Sequence, residues 1–297
     1  MRTGLIGVGT MGTRVCDTLI KGGLTVIACD IAPAAQERAR GLGATVVASP
    51  AVVAREATIT LLSLPWPKDV EDVVAGPQGL LTNASAGTVI VDLSTIDPAT
   101  TRCLAEAARR KQVGYVDAPV LGRPQGCGNW TLPCGGTEAD VERARPVLAK
   151  LARRVLRVGD SGAGNVVKLL NNLMFGAINA ITAEVMALAS RTGLEPRVFF
   201  ETISESGAAT VSNLFRELGP QMLNHDWQVK FSLDLLYKDN LLGLQMGQEH
   251  RAPMPISQAV SLLNQLALAR GYGALDTSAM VQLYEEWLGV SVLDASQ

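Results

Sequence analysis

Cysteine, histidine and aromatic residues are scarce in this chain, and neither sign of charge dominates. The five cysteines, Cys16, Cys29, Cys103, Cys127 and Cys134, are odd in number and scattered, with no C-x-x-C pair. That excludes a disulfide framework and a zinc site as organising elements; Cys127 and Cys134 could pair, but reduced thiols in a cytoplasmic protein are the simpler reading. No metal is expected. Lys and Arg number 26 against 28 Asp and Glu, a net charge of −2. Such a balance offers no electrostatic surface for nucleic acid or membrane. No stretch approaches the ~18 uninterrupted apolar residues of a membrane helix. The opening "MRTGLIGVGTMG" is too short and too glycine-broken for a signal peptide. The absences leave a cytoplasmic protein whose partner is a small molecule.

What is present is apolar material, 47% of the chain against 18% charged. A length of 297 residues suits two domains. The first half alternates apolar β-rich runs with helical runs. "RTGLIGV", "LTVIACD", "ATITLLSLP", "GTVIVDLS", "VGYVDAPV" and "RVLRVGD" read as strands. "MGTRVCDTLIKGG", "PAAQERARGLG", "DPATTRCLAEAARRK" and "EADVERARPVLAKLA" read as helices. Continuously apolar strands fit a parallel sheet covered on both faces, and the alternation predicts an α/β doubly wound, Rossmann-type domain over residues 1–160. After Gly159 no strand pattern recurs. Helices are expected at about 163–191, 197–205, 210–223, 232–249, 256–270 and 276–287, followed by a loose "LDASQ" tail. Residues 161–297 therefore form an all-α domain opening with a long interdomain helix.

"GLIGVGTMG" spaces Gly7, Gly9 and Gly12 as G-x-G-x-x-G between a strand and a helix, with Thr10 and Met11 opening that helix. Gly7 permits the tight turn, Gly9 lets a pyrophosphate approach the backbone, and Gly12 lets helix and strand pack closely. The helix N-terminus supplies free N–H donors to the phosphates. Asp30 ends the second strand, where a carboxylate can bond the ribose hydroxyls and repel the extra phosphate of NADP. The nearest arginine is Arg38. NAD is thus expected over NADP, with a plain turn aspartate as the other explanation of Asp30.

"SGAGNVVKLLNNLM" places a lysine and several amides in an apolar helix. At about 100° per residue, Asn172, Asn179 and Phe175 fall within about 40° of Lys168, and Asn165 and Asn171 within about 60° of it. Val166, Val167, Leu169, Leu170, Leu173 and Met174 fill most of the remaining circumference, so the helix reads as largely buried. A polar wedge there needs hydrogen-bonding partners, which an interdomain cleft would supply. A solvated face is the alternative, although such faces mix Glu, Lys, Arg and Gln rather than Asn and Lys. The two histidines, His225 and His250, lie in no catalytic context. A lysine can move a proton if desolvation lowers its pKa toward neutrality. Lys168 is the candidate, with Asn172 one turn on to hold the lysine or a substrate hydroxyl.

Four motifs together resemble the β-hydroxyacid dehydrogenases, the group that includes 3-hydroxyisobutyrate dehydrogenase and tartronate semialdehyde reductase. They are "GLIGVGTMG", "DLSTIDP" at 92–98, "GAGNVVKLLNN" at 162–172 and "YKDNLLG" at 237–243, and the likeness spans nearly the whole chain. The resemblance implies Lys168 as catalytic lysine and Asn172 as substrate-orienting asparagine. It implies cofactor contacts at Leu64, Pro65 and Thr95, and at Lys238 supported by Asp239. It also implies a homodimer or homotetramer formed through the helical domain. The substrate carboxylate is expected near Ser94–Thr95 and near Leu121, Gly122 and Arg123.

One departure concerns that last segment. The family has serine-glycine-glycine after "DAPV", where this chain has Leu121, Gly122 and Arg123. Leu121 has no side-chain donor. Arg123 either binds the carboxylate bidentately or points to solvent. The expected reaction is hydride transfer between a short 3-hydroxy acid and NAD. An imine or keto reductase, and a non-catalytic NAD-binding protein, are the alternatives. Trp66, Trp130 and Phe231 either shape the pocket or pack the core.

Overall fold

The computed structural model describes residues 2–206, 210 and 212–293. Residue 211 of the helix expected from 210, and residues 294–297 of the expected tail, lie outside these described residues; the helix itself begins at Asn213. The chain divides into two compact units, Met1–Lys168 and Leu169–Gln297.

The first unit holds strands β1 (Arg2–Ile6), β2 (Thr25–Cys29), β3 (Thr45–Val46), β4 (Ile59–Leu62), β5 (Val89–Asp92), β6 (Gly114–Asp117), β7 (Trp130–Gly135) and β8 (Ala152–Gly159). Helices α1 (Thr10–Lys21), α2 (Pro33–Gly41), α3 (Pro50–Glu56), α4 (Pro67–Ala75), α5 (Leu80–Asn83), α6 (Pro98–Arg110) and α7 (Glu138–Leu151) connect them. The sheet order is β3-β2-β1-β4-β5-β6-β7-β8. Strands β1 to β6 pair in parallel. Their residues alternate between two cores, one on each face: Leu5, Val26, Val89 and Val91 on one side, Ile6, Ile27 and Ile90 on the other. Each fully buried side chain of this size contributes roughly 1.5–3 kcal/mol. The crossover helices are started by familiar devices. Pro98 follows the N-cap Asp97, whose carboxylate accepts from the Thr100 N–H at 2.7 Å.

The parallel sheet expected from the sequence is present, with one antiparallel pairing added. β7, inside "GNWTLPCGG", did not read as a strand, and it pairs antiparallel to β6. The link between them is a short segment with one 3-10 turn at Pro124–Gly126. It folds back on itself, as the antiparallel Leu121–Thr131 bridge shows. β3, α3, α4 and α5 likewise leave no signal in the sequence. They are two to nine residues long, too short for periodicity to register.

Helix α8 (Ala163–Arg191) runs out of the first unit into the second, which continues with α9 (Pro196–Glu205), α10 (Asn213–Leu223), α11 (Leu233–Glu249), α12 (Pro255–Ala269) and α13 (Val281–Leu288). Among the described residues this unit has no strand, only the isolated bridge Ser232–Asp276. Its own core gathers Ala183, Met186, Leu218, Met222, Leu233 and Leu283. Gly289, at φ 62°, ends α13 in the left-handed conformation.

Two sequence expectations about α8 change. By length and composition it is apolar enough to cross a membrane, with mean hydropathy 1.5 in its most apolar window. Uninterrupted apolar runs did not register this, because asparagines interrupt the helix. Half of that window is buried inside the fold. Nor is the apolar circumference fully covered: Leu170, Met174, Ile181 and Leu188 are exposed. They fall within about 40° of one another on the helix, a stripe left exposed among the described residues.

Candidate active site

The carboxyl ends of β1, β4, β5 and β6 lie side by side on one edge of the sheet, because these strands are adjacent and parallel. The segment after each carries predicted site residues. After β1, Gly7 sits at φ 88°, and a Cβ there would press on the Ser63 carbonyl. A Cβ at Gly12 would collide with the Gly7 carbonyl. At Gly9 a Cβ would meet nothing within 4 Å. Glycine at 7 and 12 is therefore required by the fold itself, whereas glycine at 9 keeps a space open. α1 starts beside that space, and no side chain caps it. The N–H groups of Thr10, Met11 and Gly12 lack helical acceptors and face outward along a positive helix end. The cradle fits a dinucleotide pyrophosphate.

Asp30 closes the turn from β2. Its Oδ2 accepts the Val8 N–H at 2.6 Å and its Oδ1 the Ala32 N–H at 2.8 Å. It is thus a turn aspartate, with carboxylate lone pairs left over for a ligand hydroxyl. Arg38 reaches farther than sequence distance suggested, donating from Nη2 to the Val8 carbonyl at 3.3 Å.

After β4 and β5 the loops are tied to each other. The Leu64 N–H donates to Ser94 Oγ at 3.0 Å, and the Ser94 N–H donates to Asp92 Oδ1 at 2.9 Å. Tyr115 donates its hydroxyl to Asp92 Oδ2 at 3.0 Å. Burial and the neighbouring Asp92 hold the Tyr115 phenol well above its ordinary pKa. Ser94 is buried, Thr95 and Leu64 are half-buried, and Pro65 is exposed. Ser94 keeps its hydroxyl hydrogen for a second partner.

After β6, Leu121 pairs its backbone with Thr131, and Trp130 Nε1 donates to the Arg123 carbonyl at 2.8 Å. A Cβ on Gly122 would strike the Trp130 ring. Trp130, itself 2% exposed, is the anchor of this loop. In the same unit, Lys168 Nζ donates to the Val120 carbonyl at 2.8 Å. The lysine is so placed on the sheet edge that carries the glycine turn.

The remaining amides of the wedge divide among partners. Asn165 Oδ1 accepts from the Ile96 N–H at 3.3 Å, and its Nδ2 donates to Thr101 Oγ1 at 3.2 Å. Asn179 Nδ2 donates to the Thr277 carbonyl at 3.0 Å. These two are buried framework residues, so the wedge is not one continuous ligand face as the sequence suggested. Within the helical unit, Asn172 Nδ2 donates to Asp239 Oδ2, and Asn171 Nδ2 donates to Asn172 Oδ1 at 3.0 Å. Lys238 Nζ stands 2.9 Å from Asp239 Oδ1, an ion pair without hydrogen-bond alignment. Asp239 is therefore the hub that joins Lys238 to Asn172.

A hollow of about 370 Å³ lies elsewhere, lined by Arg102, Arg109, Tyr115 and Arg143 among others. Glu106 and Asp140 pair with Arg109 and Arg143, so it is an ion-paired groove. No group of acidic, histidine and cysteine side chains suited to a metal occurs among the described residues.

Sequence reasoning missed Asp92 and Asp117, which set the loops, and left Trp130 open between pocket and core, where it is a buried loop anchor. Strand-final aspartates at equivalent positions, in "VIVDLS" and "GYVDAP", were the available signal.

Comparisons with known proteins agree with this geometry. Residues 2–159 match the NAD binding domain of 6-phosphogluconate dehydrogenase, and residues 162–284 match the NAD-binding region of NADP-dependent 3-hydroxyisobutyrate dehydrogenase. The chain is 35% identical to 2-(hydroxymethyl)glutarate dehydrogenase of Eubacterium barkeri, covering 98% of this chain and 97% of that one. It is 33% identical to 3-hydroxyisobutyrate dehydrogenase of Pseudomonas aeruginosa, covering 94% and 97%. The crystal structure of 3-hydroxyisobutyrate dehydrogenase from Salmonella typhimurium superposes with a TM-score of 0.88 at 28% identity, covering 95% and 99%. With a dinucleotide cradle, a lysine on the same sheet edge and relatives aligned over their full lengths, the chain belongs to the β-hydroxyacid dehydrogenase family and is an NAD-binding oxidoreductase acting on CH–OH groups.

Proposed function

We propose that the chain reversibly oxidises a short 3-hydroxy acid with NAD, and that Lys168 is the general acid/base. The observation that carries this is Lys168 Nζ on the Val120 carbonyl, at the sheet edge that holds the glycine cradle. The nicotinamide supplies the hydride acceptor or donor when bound. Neutral Lys168 takes the hydroxyl proton in oxidation, and its ammonium polarises the carbonyl and returns the proton in reduction. Asn172, oriented by Asp239, holds the lysine or the substrate hydroxyl. Ser94, Gly122 and Arg123 are donors for the substrate carboxylate, and Leu121 covers its carbon chain. Gly7, Gly9, Thr10, Met11 and Gly12 hold the pyrophosphate, and Asp30 the ribose. Leu64, Pro65, Thr95 and Lys238 are the further cofactor contacts that the family resemblance implies.

The nearby carboxylate of Asp30 favours NAD over NADP. The relative named for 2-(hydroxymethyl)glutarate supports a substrate whose hydroxymethyl group neighbours a carboxylate. The test is turnover of 3-hydroxyisobutyrate, glycerate, 3-hydroxypropionate, L-serine and 2-(hydroxymethyl)glutarate with NAD and with NADP. One or more of them is expected to be oxidised, faster with NAD. A clear NADP preference contradicts the role of Asp30. Reduction of imines with no activity on any acid supports the second reading, which Leu121 favours by lacking a donor.

Assembly and compartment belong to the same reading. A second copy of the chain is the proposed occupant of the α8 stripe of Leu170, Met174, Ile181 and Leu188, since exposed apolar patches of this kind mark interfaces. Light scattering on Met174→Glu/Ile181→Glu is expected to show monomer where the parent shows dimer or tetramer. A variant that assembles like the parent excludes the stripe. The unpaired thiols fit a reducing, cytoplasmic setting.

A further inference from the structure

Asp117 ends β6 and is fully buried. Its two oxygens are committed to the start of α8: Oδ1 accepts the Gly162 N–H at 2.8 Å, and Oδ2 the Asn165 N–H at 2.9 Å. This is a helix N-terminal cap delivered from a distant strand, joining two orphan donors and the positive helix end to one carboxylate. The surroundings leave it no freedom. A Cβ at Gly135 or Gly164 would run into the Asp117 carboxyl group. Three residues after Asp117, the Val120 carbonyl takes the Lys168 ammonium. Three residues after Asn165 comes Lys168 itself. The strand and helix therefore meet twice, once through Asp117 and once through Lys168. Asn165 adds a third tie, to Ile96 and Thr101 beside the Ser94–Thr95 loop.

We infer that Asp117, as a carboxylate, is the positioning residue for Lys168: it fixes the first turn of α8, and with it the height of the lysine over the sheet edge. The inference rests on the reading of Lys168 as the acid/base. It carries a pH signature. Burial pushes the Asp117 carboxyl up to about 6, opposed by its backbone donors and reinforced by Asp92 on β5. The other titratable groups around it are Tyr115 on β6 and Cys134 on β7, both neutral over this range, with burial raising them further. A protonated Asp117 can no longer accept from both N–H groups, so the clamp opens as pH falls through about 6. The stability effect has the opposite sign. The folded-state pKa lies above the ordinary 3.8, so protonation favours the folded chain over that interval. Acid loss of turnover through Asp117 is therefore not unfolding.

The test is a pH profile in the reductive direction, where Lys168 must be protonated and acid does not disable it. The wild-type chain is expected to lose turnover below pH 6 with undiminished thermal stability. Asp117→Asn keeps the shape but turns an N–H toward a donor. It should lower kcat at neutral pH by about tenfold to 100-fold, leave the KM for cofactor unchanged, and remove the low-pH limb. A flat wild-type profile overturns the inference even if the variant fails to fold, as does a variant that keeps wild-type kcat or keeps the limb. Should Lys168→Ala retain turnover, it is the acid/base reading that falls. An inactive Lys168→Ala beside a fully active Asp117→Asn defeats only the role of Asp117.

Discussion

Lys168→Ala lowers turnover by roughly 10²–10⁴-fold, the usual worth of a general acid/base, with NAD affinity nearly unchanged. The separation follows from position. The cradle residues Gly7, Gly9 and Gly12 lie after β1, whereas the ammonium sits on the Val120 carbonyl beyond β6. Removing the side chain deletes one donor from that carbonyl and leaves the glycine turn intact. Lys168→Arg should not rescue the rate, because a guanidinium does not release its proton near neutral pH. Steady-state rates and NAD titration on the same preparations check both halves. Unchanged turnover would refute the role of the lysine. Lost NAD binding would make it a cofactor residue instead.

Gly9→Ala and Gly12→Ala are expected to fail differently. A Cβ at Gly9 meets no protein atom within 4 Å, so the fold should tolerate it. The methyl group would occupy the space left for the pyrophosphate, raising the Kd for NAD by about tenfold or more, equivalent to about 1.4 kcal/mol. At Gly12 the methyl group meets the Gly7 carbonyl, so turn and helix must part. Overpacking of that kind costs about 1–3 kcal/mol. Gly12→Ala should thus lower the Tm as well as weaken NAD, whereas Gly9→Ala should weaken NAD alone. Thermal melts with NAD titrations separate the two. A Gly9→Ala chain with wild-type affinity would put the phosphates somewhere else.

The sequence displayed those parts of the molecule whose causes are local. Apolar runs such as "VIVDLS" announce parallel strands because both faces of β5 are buried. The G-x-G-x-x-G spacing announces its turn because sterics at Gly7 and Gly12 demand glycine. Helix boundaries in the second unit fell within a few residues of those expected, as at Pro196, except that the helix expected from 276 opens as a 3-10 turn, Thr277–Met280, and becomes α-helical only at Val281. Hidden from that reading were features decided by distant partners. β7 became a strand because the chain after β6 doubles back. Asn165 and Asn179 looked like ligand residues on a helical wheel, yet Thr101 and Thr277 claim them. The wheel cannot tell a buried amide with a protein partner from one with a substrate. For the same reason the exposed stripe on α8 looked like core.

The measurement bearing most directly on the proposed reaction is NADH formation from NAD with the panel of 3-hydroxy acids, run on the wild-type chain and on Lys168→Ala side by side. The account predicts that the wild-type chain oxidises at least one acid and that Lys168→Ala binds NAD equally well but forms NADH at least about a hundredfold more slowly. A wild-type chain that binds NAD and oxidises none of them, or a variant that matches the wild-type rate, would contradict it.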